Sequence, residues 1–320
     1  MNYIIFDLEW NQSPDGKKYS DSRLPFEIIE IGAVKMNEKK EIIDSFQRLI
    51  KPKVYNWIHD SIHEVIHVDY KDLEEGTPFP QAAEEFIRWC GTEYRFFTWG
   101  NQDVMELQRN MKYYDMLELI PAPVTYYDVQ KLFGICYEEN RERRALEFAI
   151  DRLEIGKNQD FHRALADAWY TACVLQKIED ECIFSHSSLD VYQNPKTRKD
   201  EIYIRYEESS RYVSREFSSR ERVMRDREVT STRCPVCNNP AKRRIRWFMN
   251  NNSKVYYSVS QCQEHGYLTG RIRIRKTEEE KYYAMKKLKL VSEAEAEEVR
   301  EKRDALRSKR QLKKQQASCS

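Results

Sequence analysis

The first 190 residues alternate between short apolar runs and amphipathic stretches, and this alternation limits the possible folds more than any other feature of the sequence. Residues 2–10 form an apolar run, and residues 27–36 and 41–50 follow as a predicted hairpin around a polar turn. From Thr77, apolar side chains recur every three or four residues, which predicts a helix. The remaining predicted elements are strands at 94–99 and 124–128 and helices after Asn101, from Val129, at 143–153 and at 163–180. Strands that alternate with helices predict an α/β layer architecture.

Charge is distributed unevenly along the chain. The formal net charge is only +1, but residues 1–190 carry 22 basic and 35 acidic side chains, whereas residues 191–320 carry 32 and 18. A basic region of this kind is typical of proteins that bind a polyanion such as nucleic acid. The alternative is that the two oppositely charged regions attract each other.

No apolar run approaches the roughly 18 residues that can span a bilayer, and the N-terminus lacks a basic region followed by a long apolar stretch. The sequence therefore predicts a soluble, cytoplasmic protein that does not contact membranes. Its hydrophobic content of 40% and aromatic content of 12% exclude a chain that is disordered or fibrous as a whole. The sequence carries no signal for an oligomeric state.

Two carboxylates lie two positions apart in the first predicted strand. The side chains of Asp7 and Glu9 therefore project from the same face of that strand. Burying two carboxylates on one face is unfavourable unless a cation neutralises them, which favours a site for a hard metal ion. On its own, such a pair is also compatible with a solvated surface.

Two later segments add acidic residues and a histidine. Asp103 follows a predicted strand and the Gly100 turn, in the first turn of a predicted helix, where the helix dipole favours an ionised carboxylate. His162 precedes Asp167 by about one and a half helical turns at the start of another predicted helix. If that end faces the strand pair, the imidazole and the carboxylates reach one reaction centre. Taken singly, these residues are also explained as helix-terminal or surface residues.

The segments FDLEWN, WGNQD and HRALADA, in this order, resemble the three motifs of the DEDDh family of 3′–5′ exonucleases. The segments EIIEIGAV, FQRLIKP and LEFAIDRLEI also match the spacing of that family. The resemblance covers about residues 1–182, and within the family the chain looks like the KapD-like bacterial proteins and the histone-mRNA exonucleases. It implies an α/β fold with a ribonuclease H-like mixed sheet flanked by helices.

The resemblance also implies a role for each motif residue. Asp7, Glu9 and Asp167 are implied to hold two divalent cations, with Asp103 acting largely through water. His162 is implied to be the general base that takes a proton from the attacking water. Oxygen ligands favour Mg²⁺ or Mn²⁺ over zinc. Trp10 stands where family members often carry Thr, and it either stacks on a substrate base or belongs to the core.

A second ligand pattern lies in the C-terminal half. Cys234-Pro-Val-Cys237 is followed, after 24 intervening residues, by Cys262-Gln-Glu-His265. Two pairs of soft ligands, each separated by two residues, predict a tetrahedral Cys₃His site for one structural zinc ion. Predicted strands around the NNNS turn make the arrangement resemble a zinc ribbon. The alternative is a set of free thiols or a redox site.

Ten basic side chains and one acidic side chain lie in residues 231–276, interleaved with aromatic residues. Basic groups that bind phosphates, next to rings that stack on bases, predict a platform for single-stranded nucleic acid. The alternative is a solvated ribbon that binds protein. The predicted substrate-binding residues are Trp10, Arg243, Arg244, Arg246, Trp247, Arg271, Arg273 and Arg275.

These patterns predict an exonuclease domain at 1–185, a charged linker at 186–230, the zinc ribbon at 231–276 and a charged, basic helical tail at 277–320. The predicted activity is metal-dependent removal of nucleoside 5′-monophosphates from the 3′ end of single-stranded nucleic acid, with RNA favoured over DNA. One alternative is a nucleic-acid- or ribosome-binding protein whose nuclease site is idle. The other is an exonuclease that acts on DNA in repair.

Overall fold

The computed structural model describes residues 1–13, 19–55, 70–120, 122–138, 142–157, 163–250, 254–277 and 279–318. The chain divides into two compact units, residues 1–193 and residues 194–320. Within the described ranges, no helix combines the length and the apolar character needed to cross a bilayer.

The first unit contains one sheet with helices on both faces. Its strands are β1 (Asn2–Asn11), β2 (Glu27–Met36), β3 (Ile42–Lys51), β4 (Thr77–Pro78), β5 (Tyr94–Thr98), β6 (Val124–Asp128) and β7 (Ser188–Asp190). Its helices are α1 (Tyr70–Glu74), α2 (Phe79–Cys90), α3 (Gln102–Tyr113), α4 (Val129–Tyr137), α5 (Leu146–Arg152), α6 (Ala164–Gln176) and α7 (Asp180–Ser185), and a 3₁₀ turn spans Leu117–Leu119.

The seven strands form a mixed sheet in the order β4-β3-β2-β1-β5-β6-β7. Strands β1, β2 and β3 pair antiparallel, as the predicted hairpin requires, whereas β5 and β6 run parallel to β1. Strand β7 closes the sheet antiparallel to β6. This arrangement confirms the predicted α/β class with a ribonuclease H-like mixed sheet flanked by helices.

Strand β1 is buried on both faces, which decides where its two acidic residues lie. Ile4 and Phe6 belong to the core cluster that includes residues of α2 and α3. Ile5 belongs to the cluster on the opposite face, which includes residues of α4 and α6. Because side chains alternate along a strand, Asp7 and Glu9 share the face of Ile5. The acidic pair therefore lies on the side of the sheet where α6 packs.

Helix α6 approaches the sheet most closely at Gly32 of β2. A Cβ atom built on Gly32 would lie only 2.0 Å from the backbone nitrogen of Leu165. Gly32 also pairs with Asp7 in the register of β1 and β2. The missing side chain at Gly32 therefore brings the first turn of α6 next to Asp7.

We expect Gly32→Ala to destabilise the first unit. The added methyl group must displace the backbone of α6, and overpacking of a close contact costs about 1–3 kcal/mol. Urea unfolding of the two proteins, followed by tryptophan fluorescence, measures the change. Hydrolytic activity should fall as well, because α6 carries one of the acidic residues. An unchanged unfolding midpoint would show that α6 does not pack against Gly32 of β2 this closely.

The second unit contains a sheet covered by helices. Its strands are β8 (Ile202–Arg205), β9 (Ser209–Val213), β10 (Lys242–Asn250), β11 (Val255–Cys262), β12 (Gly266–Lys276) and β13 (Tyr282–Val291). A 3₁₀ turn spans Arg198–Asp200, and the helices are α8 (Arg220–Arg225), α9 (Arg227–Thr230) and α10 (Glu293–Ser318). The strand order is β10-β11-β12-β13-β9-β8, with every neighbouring pair antiparallel.

Opposite faces of this second sheet are covered by different helices. Val223 of α8 and Val229 of α9 pack with Ile272 on one face. Ala296 and Val299 of α10 pack with Val259 on the other face. Two small cores therefore hold the unit together in addition to the cysteine cluster.

The structure differs from the predicted division of the C-terminal half. Residues 186–230 are not a linker, because β7 pairs within the first sheet and β8 and β9 pair within the second. Residues 282–291 are not part of a helical tail, because they form β13 between β12 and β9. The zinc-ribbon region is therefore part of a larger sheet, and the helix begins only at Glu293.

Candidate active site

Three acidic side chains meet on one face of the first sheet. Asp7 and Glu9 come from β1, and Asp167 lies in the first turn of α6. Their carboxylate oxygens offer three ligand atoms that all lie within 4.8 Å of one another. Strand alternation and the close approach at Gly32 therefore join residues that are about half the chain apart in sequence.

Asp103 is the fourth acidic residue of this cluster. It lies in the first turn of α3 and is 5% exposed. Backbone N–H groups of Asp103 itself and of Leu8, which lies between Asp7 and Glu9, donate hydrogen bonds that act to lower its pKa. Its charge is also the largest electrostatic influence on Asp7 after burial. The structure thus brings together all four acidic residues that the sequence predicts.

The four carboxylates form a site that is short of positive charge. Burial, followed by the charge of Asp167, raises the pKa of Glu9 to about 8. Burial raises the pKa of Asp103 to about 7, and burial with the charges of its acidic neighbours raises that of Asp7 well above its usual value. Divalent cations relieve this repulsion, and oxygen donors are the ligands that hard cations such as Mg²⁺ prefer. The cluster therefore fits a divalent metal site.

We expect the protein without added Mg²⁺ or Mn²⁺ to lose stability as the pH rises. Because the folded-state pKa values of Glu9 and Asp103 lie above those of unfolded carboxyls, near 4, the folded chain keeps protons that the unfolded chain releases. The free energy of unfolding should fall from about pH 5 to pH 8, by about 1.4 kcal/mol per pH unit for each proton kept, and then level off.

Urea unfolding across this pH range measures the effect, and Mg²⁺ or Mn²⁺ added at pH 8 should restore the lost stability. An Asp103→Asn variant should show a shallower pH dependence. Stability that rises between pH 5 and pH 8 would contradict the raised pKa values.

An ion pair that the sequence analysis missed fixes the start of α6. Glu30 of β2 is fully buried opposite Glu9. Its carboxylate accepts hydrogen bonds from Arg163 at 3.1 Å and from Gln47 at 2.6 Å. Arg163 directly precedes α6 and follows His162 in the sequence. The signal for this pair was the lone charge of Glu30 inside the apolar run EIIEIGAV.

Two other predicted residues of the first unit have different outcomes. His162 lies outside the residues that the structure describes, so its role as a base stays a prediction. Trp10 is partly buried and packs against the core, with its ring centroid 6.0 Å from that of Phe26. Of the two interpretations of Trp10, this position agrees with packing in the core rather than with stacking on a substrate base.

The residues of the cysteine pattern come together in the second unit as a second cluster of candidate metal ligands. Ligand atoms of Cys234, Cys237, Cys262 and His265 all lie within 4.8 Å of one another. The Sγ atoms of Cys237 and Cys262 are 3.6 Å apart, and Sγ of Cys262 is 3.7 Å from Nδ1 of His265. Around a tetrahedral zinc ion with bonds of about 2.0–2.3 Å, neighbouring ligand atoms lie roughly 3.3–3.8 Å apart. The two sulfur atoms of a disulfide lie only about 2 Å apart. The geometry therefore fits zinc.

Cys262 is prepared for metal binding by its surroundings. Burial acts to raise the pKa of its thiol, but hydrogen bonds from His265 and from the backbone of Glu264 and His265 outweigh burial and lower it to about 6. The thiolate is the form that binds metal, and it predominates at neutral pH. The four ligand atoms of this cluster could hold one zinc ion.

The predicted cationic strand face is present on β12. Arg271, Arg273 and Arg275 are exposed and alternate with the buried Ile272 and Ile274. Partial burial and then the charges of the neighbouring Arg271 and Arg275 lower the pKa of Arg273. The three guanidinium groups therefore form a row on one side of the sheet.

Strand β10 carries the other predicted substrate-binding residues. Arg243, Arg244 and Arg246 are exposed there. Trp247 differs from the prediction, because it is half-buried and its indole N–H donates to the Thr230 carbonyl at 3.0 Å. It packs with the core that α8 and α9 cover, so it is held by the protein rather than open for stacking.

Comparisons with known proteins agree with this geometry. Residues 4–175 match the family model described as Exonuclease (RNase_T). The chain is 22% identical to the nuclease domain of 3′hExo, a DEDDh family member bound to rAMP, over 55% of this chain and 90% of that chain, with a TM-score of 0.48. A 3′-exonuclease described for 3′-end-specific recognition of a histone mRNA stem-loop is 19% identical over 61% and 92%, with a TM-score of 0.49.

A third solved structure, E. coli Exonuclease I in complex with an oligonucleotide, is 12% identical over 57% of this chain and 42% of that chain, with a TM-score of 0.45. A search of the curated proteins finds no significant match. The family model covers more than half of the chain and includes the strands and helices that carry the four acidic residues. The chain therefore belongs to the RNase_T exonuclease family.

Proposed function

We propose that this exonuclease degrades single-stranded RNA from its 3′ end and releases nucleoside 5′-monophosphates. The observation that carries the proposal is the convergence of Asp7, Glu9 and Asp167 within 4.8 Å, with the buried Asp103 beside them. Buried carboxylates that repel one another are of little use to folding, but they suit a site that neutralises charge on a phosphodiester. The preference for RNA is supported by the resemblance of residues 1–182, within the DEDDh family, to the histone-mRNA exonucleases.

The acidic residues have distinct roles in this proposal. Asp7, Glu9 and Asp167 would hold two Mg²⁺ or Mn²⁺ ions, and Asp103 would contribute through water from the first turn of α3. When bound, such ions polarise the attacking water and neutralise the departing 3′ oxygen. The protein contributes the placement of the carboxylates on β1, α3 and α6.

His162 is proposed as the general base that takes the proton of the attacking water. An unperturbed imidazole has a pKa near 6.5, so its neutral form is available at neutral pH. The proposal is supported by sequence position, because His162 lies five residues before Asp167 and directly before Arg163. Arg163 is tied to the buried Glu30, which pairs with Glu9 in the sheet register.

The second unit is proposed to bind the RNA strand. Residues 191–320 carry 32 basic and 18 acidic side chains, whereas the remainder carries 22 and 35. The exposed row Arg271, Arg273 and Arg275 offers guanidinium groups that suit phosphates. The Cys₃His cluster would hold one zinc ion that joins the adjoining loops. The acidic catalytic unit thereby gains the attraction for a polyanion that it lacks.

End-labelled RNA and DNA of matched sequence, incubated with the full chain and Mg²⁺, Mn²⁺ or EDTA, test this function. We expect stepwise shortening from the 3′ end with Mg²⁺ or Mn²⁺, faster on single-stranded RNA, and none with EDTA. Faster degradation of DNA would support a DNA-directed exonuclease instead. Binding without turnover under every condition would support a nucleic-acid-binding protein with an idle site.

A further inference from the structure

A cleft of about 340 Å³ lies between the strand β10 and the helix α10 in the second unit. Four arginines from both elements line it, together with aromatic and aliphatic side chains, and none of its described lining residues is acidic. Its size falls within the range of ligand sites. The lining residues used below are Arg244, Arg246, Phe248, Arg303, Leu306 and Arg307.

The helix side of this cleft departs from ordinary packing. Ala296 and Val299 of α10 pack on the sheet, and residues three to four positions further along a helix share the same face. Arg303 and Leu306 occupy these next positions and are partly buried. A charged side chain therefore stands where continued packing on the sheet would favour an apolar one, and it lines the cleft instead.

The charges around the cleft are only partly compensated. Arg303 is paired with Asp304, and Arg244 donates to the neutral side-chain oxygen of Gln261. Among the described residues, neither Arg246 nor Arg307 has an acidic partner within ion-pair distance. Guanidinium groups that converge on one cleft repel one another, and a bound anion removes that repulsion. The cleft is therefore suited to a ligand with more than one negative charge.

We propose that the cleft is a binding site for single-stranded nucleic acid, in which guanidinium groups bind successive phosphates and a base lies against Phe248 and Leu306. The planar fork of arginine matches phosphate oxygens, and stacking on aromatic rings holds bases without regard to sequence. The apolar floor distinguishes this site from a site for a small inorganic anion. The inference rests on the proposed function, because it identifies the strand that the enzyme degrades as the ligand.

Fluorescence anisotropy with a labelled oligouridylate tests the site in the full chain. An Asp7→Asn background prevents degradation of the probe. Arg246→Gln with Arg307→Gln removes two charges that have no acidic side chain within ion-pair distance among the described residues. We expect the dissociation constant to rise about tenfold and the slope of log affinity against log salt to become shallower by about 1.4. Both arginines are exposed, and an unchanged melting temperature confirms that the double variant folds.

Arg300→Gln is the matched control, because Arg300 is exposed on the same helix and pairs with Glu297. It should leave affinity and salt dependence unchanged. The proposal would be overturned if the double variant bound the oligonucleotide with the same affinity and the same salt dependence as the Asp7→Asn protein. It would also be overturned if Arg300→Gln lost as much affinity as the double variant. Polyglutamate should not compete with the oligonucleotide, and equal competition by it would overturn the assignment to nucleic acid.

Photo-cross-linking provides a second readout on the chain with all its arginines intact. A 4-thiouridine oligonucleotide should label peptides from 242–250 and 303–307, whereas labelling confined to other segments would contradict the site. The outcome is separable from that of the proposed function. If binding depends on the cleft but the unmodified chain hydrolyses no RNA, the binding site stands and the proposed function is wrong. If the chain hydrolyses RNA but binding does not depend on the cleft, the proposed function stands and the binding site is wrong.

Discussion

Asp7→Asn is expected to reduce kcat for 3′-end degradation by at least about 10²–10³-fold, the loss typical of removing one group that stabilises charge in a transition state. Asp7 lies in the middle of the cluster, with Glu9, Asp103 and Asp167 as its acidic neighbours. An amide keeps the shape of the side chain but removes the charge that holds a divalent cation. Degradation of end-labelled RNA in Mg²⁺ or Mn²⁺ measures the loss.

The same substitution should stabilise the protein when no Mg²⁺ or Mn²⁺ is added. Burial and four acidic neighbours disfavour the Asp7 carboxylate, so a neutral amide relieves repulsion. We expect a higher melting temperature together with a smaller gain on addition of Mn²⁺. Glu84→Gln, at an exposed acidic residue of α2 in the same unit, serves as the matched control and should change neither property. Retained turnover by Asp7→Asn would show that the metal assignment is wrong.

Cys234→Ser is expected to release zinc and to lower the free energy of unfolding of the second unit by several kcal/mol. Structural zinc contributes about 10–16 kcal/mol to folding in zinc-finger peptides. Here the ion would join the loop at Cys234 and Cys237 to the turn between β11 and β12, where Cys262 pairs with Gly266. Part of the unit should survive, because the cores under α8, α9 and α10 do not include the cysteines.

Long RNA should then bind more weakly and with a shallower salt dependence, while dinucleotides are still cleaved. Zinc content by mass spectrometry, two-step thermal unfolding and cleavage of both substrates measure these effects. Cys136→Ser, a free exposed cysteine of the first unit, is the matched control. Equal losses on dinucleotides and long strands would contradict a docking role for the second unit.

The convergence of the four acidic residues was predictable because local rules place them. Strand alternation puts Asp7 and Glu9 on one face, and the turn at Gly100, which has a φ of 108°, places Asp103 at the start of α3. The Glu30–Arg163 pair was not predictable in this way, because it joins residues 133 positions apart and depends on how α6 meets β2. Such contacts appear only once the sheet is assembled.

Errors in the second unit have similarly local causes. Residues 282–291 look like a charged tail because lysines occupy the exposed side of β13, where Lys287 and Lys289 flank the buried Leu288. Trp247 looks like an exposed aromatic residue among arginines, but register shifts between Arg243 and Phe248 reset the alternation of β10. The ring consequently faces the core on the other side of the sheet.

Anomalous scattering from crystals of the full chain grown with Mn²⁺ tests the central claim most directly. The account predicts manganese bound at about 2 Å from carboxylate oxygens of Asp7, Glu9 and Asp167. It also predicts that this signal disappears in Asp7→Asn crystals together with hydrolysis. Manganese bound elsewhere, in a protein that still degrades RNA, would contradict it.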